Sequence, residues 1–79
     1  MGMQQRECTP DEGSLWRERY TDGYSTGRGD GRANRAPRME LVTIPAEVPG
    51  ENGSQYVARH VGIAREIGYT RGYRFASGT

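Results

Sequence analysis

The chain contains no lysine: all eleven of its basic side chains are arginine. Schiff-base chemistry and the lysine of a phosphate-binding P-loop are thereby excluded, whereas bidentate grip on carboxylate, phosphate or base edges stays open. An arginine-only composition also fits a GC-rich coding sequence. Cysteine is limited to Cys8, so no internal disulfide can form, and no Cys/His cluster has zinc-ligand spacing. His60 is the only histidine, and no serine, cysteine or carboxylate stands near it at relay spacing. The run Gly27-Arg-Gly-Asp-Gly31 lacks the preceding strand and the lysine of a phosphate loop. The sequence therefore predicts a non-enzymatic protein with no catalytic residue, no metal and no cofactor.

Long apolar runs are missing too. Met1-Gly2-Met3-Gln4-Gln5-Arg6 has no apolar signal-peptide core, and no segment approaches membrane-spanning length. The expectation is a cytoplasmic protein (host-cell cytoplasm for a phage-encoded chain) with no membrane partner. Hydrophobic residues reach only 33%, mean hydropathy is −0.91, and twelve glycines occupy a chain of 79 residues. A core drawn from so few apolar side chains supplies only ~3–5 kcal/mol without staples. Pairing with a partner protein, or with itself as a homo-oligomer, is expected to complete the fold.

Charge is balanced overall, at +1, but segregated. Residues 1–27 carry −2, residues 28–38 carry +3, residues 39–53 carry −3 and residues 54–79 carry +3. Separated blocks of opposite sign favour docking within the chain or onto a partner over indiscriminate phosphate binding.

Local signals give an α+β, mostly helical fold: two helices joined by a basic linker, a short strand and an acidic loop. Residues 1–8 are expected as a disordered tail and 9–79 as a single small domain. Thr9-Pro10-Asp11-Glu12 is a helix start, with a capping threonine, proline at the first turn and glutamate completing the capping box. That helix is expected over 10–26, with Trp16, Tyr20 and Tyr24 in one stripe. Residues 27–38 read as a flexible linker. Within it, Arg28-Gly29-Asp30 matches the integrin-binding triplet, a role that a cytoplasmic location opposes. Residues 39–44, with Val42, Thr43 and Ile44, read as a strand closed by Pro45. Asn52 with Gln55 caps a second helix, expected over 54–75, with a break near Gly62 or Gly68 as the alternative; a hairpin strand over 55–63 competes with its first half.

The stretch from Ala64 to Ala76 carries the strongest pattern. Ala64, Gly68, Gly72 and Ala76 form a column of small residues at a spacing of four, and Gly23 and Gly27 repeat that spacing earlier. The kernel Tyr-Thr-x-Gly-Tyr occurs twice, at Tyr20–Tyr24 and Tyr69–Tyr73, each preceded by Arg-Glu. By analogy with Gly-x-x-x-Gly helix pairs, the predicted helix-packing set is Trp16, Tyr20, Gly23, Tyr24, Gly27, Ala64, Gly68, Gly72 and Ala76. The alternative places these glycines in loops. Arg65, Tyr69, Arg71, Tyr73, Arg74 and Phe75 are the expected partner-binding set, with aromatics as anchors and arginines fixing register on acidic or phosphate groups.

Two resemblances bear on the partner. Compact arginine-only chains with Gly-Tyr repeats resemble accessory or host-modulating proteins of bacteriophages and mobile elements, which implies binding and occlusion of a partner protein. Separately, Ala58 followed by Gly62, flanked by Val57, Val61 and Ile63, resembles the first half of a helix-turn-helix. That resemblance implies DNA binding through residues 55–75, with Arg65, Tyr69, Arg71 and Arg74 on a recognition helix and a helix from Thr9 as the third. The chain departs from that pattern six residues past the turn glycine, where Gly68 stands instead of an apolar residue.

Overall fold

The structure is a computed structural model, and it describes residues 6–78. Three α-helices form: α1 over Pro10–Arg32, α2 over Gly53–His60 and α3 over Ala64–Ser77. Short 3-10 turns occupy Met39–Leu41 and Val61–Ile63. No strand occurs among the described residues, so the expected α+β class is corrected to all-helical. Residues 39–44 fail as a strand because nothing beside them offers a ladder. The Val42 N–H turns back to the Met39 carbonyl, and the Thr43 N–H donates to the Thr70 hydroxyl of α3 at 2.9 Å. A β-branched run with side-chain acceptors at hand has no use for sheet pairing.

α1 and α2 begin where the capping chemistry places them. The Thr9 hydroxyl accepts from the Glu12 N–H, and the Glu12 carboxylate accepts from the Thr9 N–H. Asn52 and Gln55 reproduce that reciprocal pair at the start of α2. Helix ends are less faithful to expectation. α1 runs to Arg32, six residues into the stretch expected as linker. It stops at Asn34, whose φ of 55° sets the left-handed residue past the C-cap. The Asn34 and Arg35 N–H groups then donate back to the Gly31 and Asp30 carbonyls, the Schellman arrangement that satisfies a helix's last acceptors. Downstream, the single helix expected over 54–75 is two, α2 and α3, separated by the turn at 61–63.

Residues 6–8, at the edge of the stretch expected as a tail, are tied to both neighbouring helices. Arg6 pairs with Glu12 of α1, and the Cys8 N–H donates to the Ser54 hydroxyl of α2. Residues 1–5 lie outside the described residues.

α3 is the central element. Ala64, Ile67, Gly68, Tyr69, Thr70 and Gly72 are all buried, and the run from Ile67 to Thr70 covers every face of one helical turn. α1 flanks one side of it and residues 37–48 lie along another, while α2 packs mainly against α1 and reaches α3 through Tyr56.

Candidate interaction site

The α1–α3 contact is made by backbone. A Cβ built on Gly23 would lie 1.9 Å from the Arg65 carbonyl oxygen, and one on Gly27 would lie 2.1 Å from that of Tyr69. In the reverse direction, Gly68 faces the Tyr20 oxygen and Gly72 the Tyr24 oxygen, each at 2.2 Å by the same measure. No side chain except hydrogen fits at these four positions. The glycine hydrogens point at carbonyls, in the sense of weak Cα–H···O contacts. Gly31 is looser, with 2.8 Å to the Tyr73 oxygen and 2.9 Å to the Ala76 methyl.

These contacts fix direction and register. Gly23, Gly27 and Gly31 meet Arg65, Tyr69 and Tyr73 in ascending order, so α1 and α3 run parallel. A shift of 45 residues exchanges the two halves of the interface: Gly23 with Gly68, Gly27 with Gly72, Tyr20 with Arg65, Tyr24 with Tyr69. The sequence echo of Tyr20 with Tyr69 requires a shift of 49 instead. The difference is one helical turn of about four residues. The repeated kernel thus marks both helices, but its own alignment is one turn out of register with their contact.

On either side of this seam the aromatics separate into two groups. Trp16 stacks on Tyr20 at 4.7 Å, Tyr20 on Tyr24 at 6.0 Å, and Phe75 tilts against Tyr24 at 6.4 Å. Arg71 lies over the Tyr20 ring, and Arg28 over Phe75. The second group is Tyr69 and Tyr73, stacked at 6.1 Å. The Tyr69 hydroxyl donates to the buried Asp30 carboxylate at 2.7 Å and accepts from the Arg38 N–H at 2.9 Å. Arg38 and Arg35 complete the charge on Asp30. Hydrogen bonding from Tyr69, with the two arginines behind it, holds the Asp30 carboxyl below its ordinary range, while burial pushes the Tyr69 phenol up. Because Asp30 is only 3% exposed, the Arg28-Gly29-Asp30 triplet is not displayed as a ligand loop.

The expected partner-binding set is therefore divided by the fold. Tyr69 is enclosed at 0% exposure and belongs to the interior. Tyr73 is half-buried, its hydroxyl donating to the Arg35 carbonyl at 2.6 Å, and Arg65 pairs with Asp22 at 3.0 Å. Arg71, Arg74 and Phe75 remain outward, Phe75 at 68% exposure. Of the helix-packing set, Gly23, Gly27, Gly68 and Gly72 form the seam, Ala64 is buried, and Ala76 meets Gly31. Trp16, Tyr20 and Tyr24 lie beside the seam and are half-buried.

Beyond α3 from α1 lies a concavity of about 440 Å³, walled by residues 43–48 and floored by Tyr56, Ile67 and Thr70, with Arg71 and Arg74 at its edge. Its outer wall is braced twice. Thr43 is held by Thr70, and Arg59 donates both to the Ala46 carbonyl at 2.9 Å and to the Glu51 carboxylate at 2.7 Å. A second hollow, of about 300 Å³, adjoins it between Pro37, Met39, Val42 and Tyr73, and the two share Ile44, Thr70 and Arg74. Met39 and Ile44 are 70% and 78% exposed. Among the described residues, the Tyr56 hydroxyl is buried without a hydrogen-bond partner, as are the Trp16 indole N–H and one Glu66 carboxylate oxygen. Composition gives no hint of this hollow, because its wall spans the end of the expected strand, Thr43 and Ile44, and the start of the expected acidic loop, 45–48.

The segment that resembles a helix-turn-helix, 55–75, is α2, a short turn and α3. The turn at 61–63 keeps Gly62 out of the left-handed region, and the middle of α3 has no exposed face to lay into a groove. Among the described residues, no cluster of His, Cys, Asp and Glu could hold a metal, and no helix is long and apolar enough to cross a membrane. Comparison of the chain with protein-family models, with curated proteins and with solved structures gave no match.

Proposed function

We propose that this chain is a non-enzymatic protein-binding module, of the accessory or host-modulating type, that occupies and occludes a partner protein. The observation that carries the reading is the pair of joined hollows beside α3. They combine exposed apolar side chains, Met39 and Ile44, with two arginines, Arg71 and Arg74, that no acidic residue pairs among the described residues. Apolar anchors inside a charged rim suit recognition of another polypeptide. Occlusion by stoichiometric binding needs no turnover chemistry, which agrees with His60 being buried on α2, its ring nitrogen engaged by the Tyr56 carbonyl at 2.9 Å.

The test is affinity capture from the native host with the wild-type chain and with Arg71→Glu/Arg74→Glu, both checked for equal helicity by circular dichroism. A protein retained by the first and lost by the second is the expected outcome. Capture unchanged by the charge reversal removes this surface from the account. Retention of nucleic acid in place of protein, with binding falling steeply with salt, points to the DNA reading instead.

A further inference from the structure

We propose that the joined hollows take an extended segment of the partner carrying a carboxylate side chain two residues from a large apolar one. The carboxylate lies between Arg71 and Arg74, and the apolar side chain lies in the Met39–Ile44 hollow. The inference rests on the protein-binding reading and specifies the chemistry of what is bound.

Three features of the site lead there. The first is charge. Four ionic side chains line the larger hollow: Arg71, Arg74, Glu47 and Glu51. Glu51 is held by Arg59 at 2.7 and 3.0 Å, so its charge is spent within the wall. Glu47 is then the one carboxylate of the lining with no arginine on it among the described residues, against Arg74 and an Arg71 whose guanidinium rests over the Tyr20 ring at 5.9 Å; a planar fork of N–H donors matches a carboxylate best. The second is size and lining. The smaller hollow, about 300 Å³, is formed almost wholly by apolar atoms of Pro37, Met39, Val42, Ile44 and Tyr73, and it accepts a leucine- or phenylalanine-sized group. Because both hollows share Ile44, Thr70 and Arg74, an extended chain of about 3.3 Å per residue spans them within a few residues. The third is preorganisation. The wall is pinned through Thr43 and Ala46 before anything binds, which reduces the ordering cost of association. A nucleic-acid strand would place phosphates on the arginines but leave the apolar hollow unused.

The experiment is a titration of the full ¹⁵N-labelled chain with synthetic peptides, followed by amide and arginine Nε–H chemical shifts. The probe peptide is Gly-Ser-Glu-Gly-Leu-Ser-Gly, compared with the same peptide carrying Gln for Glu or Ser for Leu. Saturable shifts at residues 43–46, Thr70, Arg71 and Arg74 are expected by millimolar concentration, weakened about tenfold by either replacement. Arg74→Gln and Ile44→Ser, both at exposed positions, are expected to lose the response while leaving the rest of the spectrum in place. Equal shifts from the Gln peptide, shifts elsewhere, or none at all overturn the proposal. So does a stronger response to inorganic phosphate or a DNA oligonucleotide, and so does movement of the same signals on simple dilution, which would mean a second copy. If host-protein capture depends on Arg71 and Arg74 while no acidic peptide binds, the protein-binding reading stands and this chemistry falls.

Discussion

Toward α1, the α3 helix offers glycine hydrogens to carbonyl oxygens; toward residues 43–48 it offers arginine side chains to an open hollow of about 440 Å³. The first face has no side chain to rearrange, and every glycine there is fixed by what a methyl would strike. The second face has side chains but few obligations, with Arg74 unpaired by any acid among the described residues and Ile44 mostly in solvent. One helix thus carries the fold on one side and leaves the other open, the side where we propose recognition occurs. Small chains poor in apolar residues gain from this division. Backbone contact brings two helices together without large side chains, and a few apolar groups stay exposed.

Breaking the seam is expected to have the largest effect. Gly72→Ala places a methyl 2.2 Å from the Tyr24 carbonyl oxygen, and neither backbone can retreat without parting the helices. A loss above about 3 kcal/mol is expected, near the whole stability of so small a domain. Urea unfolding followed by circular dichroism measures it; a variant that melts with wild type refutes the contact.

Next comes the lock at the C-terminal end of α1. Tyr69→Phe removes the donor to Asp30 and the acceptor of the Arg38 N–H, leaving a buried carboxylate short of a partner. The expected cost is about 1–3 kcal/mol, read from the same unfolding curves, with the segment 35–38 gaining amide exchange first.

Acidification tests the same carboxylates more gently. Asp30, Glu12 and Glu51 are all held below their ordinary values, Asp30 chiefly by the Tyr69 hydroxyl and Glu12 by Arg6, which takes it to about 2. A depressed carboxylate stabilises the fold above its unfolded pKa and loses that contribution as pH falls through its folded one. Stability is therefore expected to be flat near neutrality and to drain from the ordinary carboxylate range down toward pH 2. A urea midpoint that rises on acidification contradicts the assignment. The smallest effect belongs to the hollow: Ile44→Ser is expected to change stability by less than about 0.5 kcal/mol while removing peptide binding. A large loss of stability there would mean that this face is core.

Much of the helical frame was legible in the residues. Thr9 with Glu12 and Asn52 with Gln55 announce two helix starts by local chemistry alone, and the spacing of Gly23, Gly27, Gly68 and Gly72 marks where helices meet closely. What was not legible depends on distance along the chain. Residues 39–44 have the composition of a strand, and only the position of Thr70, 27 residues beyond Thr43, turns their backbone away from one. Asp30 sits in a glycine-rich stretch that reads as linker, and its partner Tyr69 is 39 residues away. Asn34 was the available signal for the true end of α1, since asparagine tolerates the left-handed conformation there. The parallel direction of α1 and α3, and the register one turn off the repeated kernel, follow from the crossover of residues 33–63 and leave no local trace. For the site, Arg71 and Arg74 could be picked out by type. Separating them from enclosed Tyr69 required the position of residues 37–48.

The central claim, that glycine serves the seam by contact and not by flexibility, is tested most directly inside α1 itself. Gly27 and Gly29 lie two residues apart in the same helix, but a Cβ on Gly27 meets the Tyr69 oxygen at 2.1 Å and one on Gly29 meets nothing within 4 Å. Unfolding midpoints of Gly27→Ala and Gly29→Ala are predicted to move in opposite directions. Gly29→Ala gains about 1 kcal/mol from helix propensity, and Gly27→Ala loses several times that by separating the helices. Two stabilised variants, or two equally destabilised ones, would contradict the account.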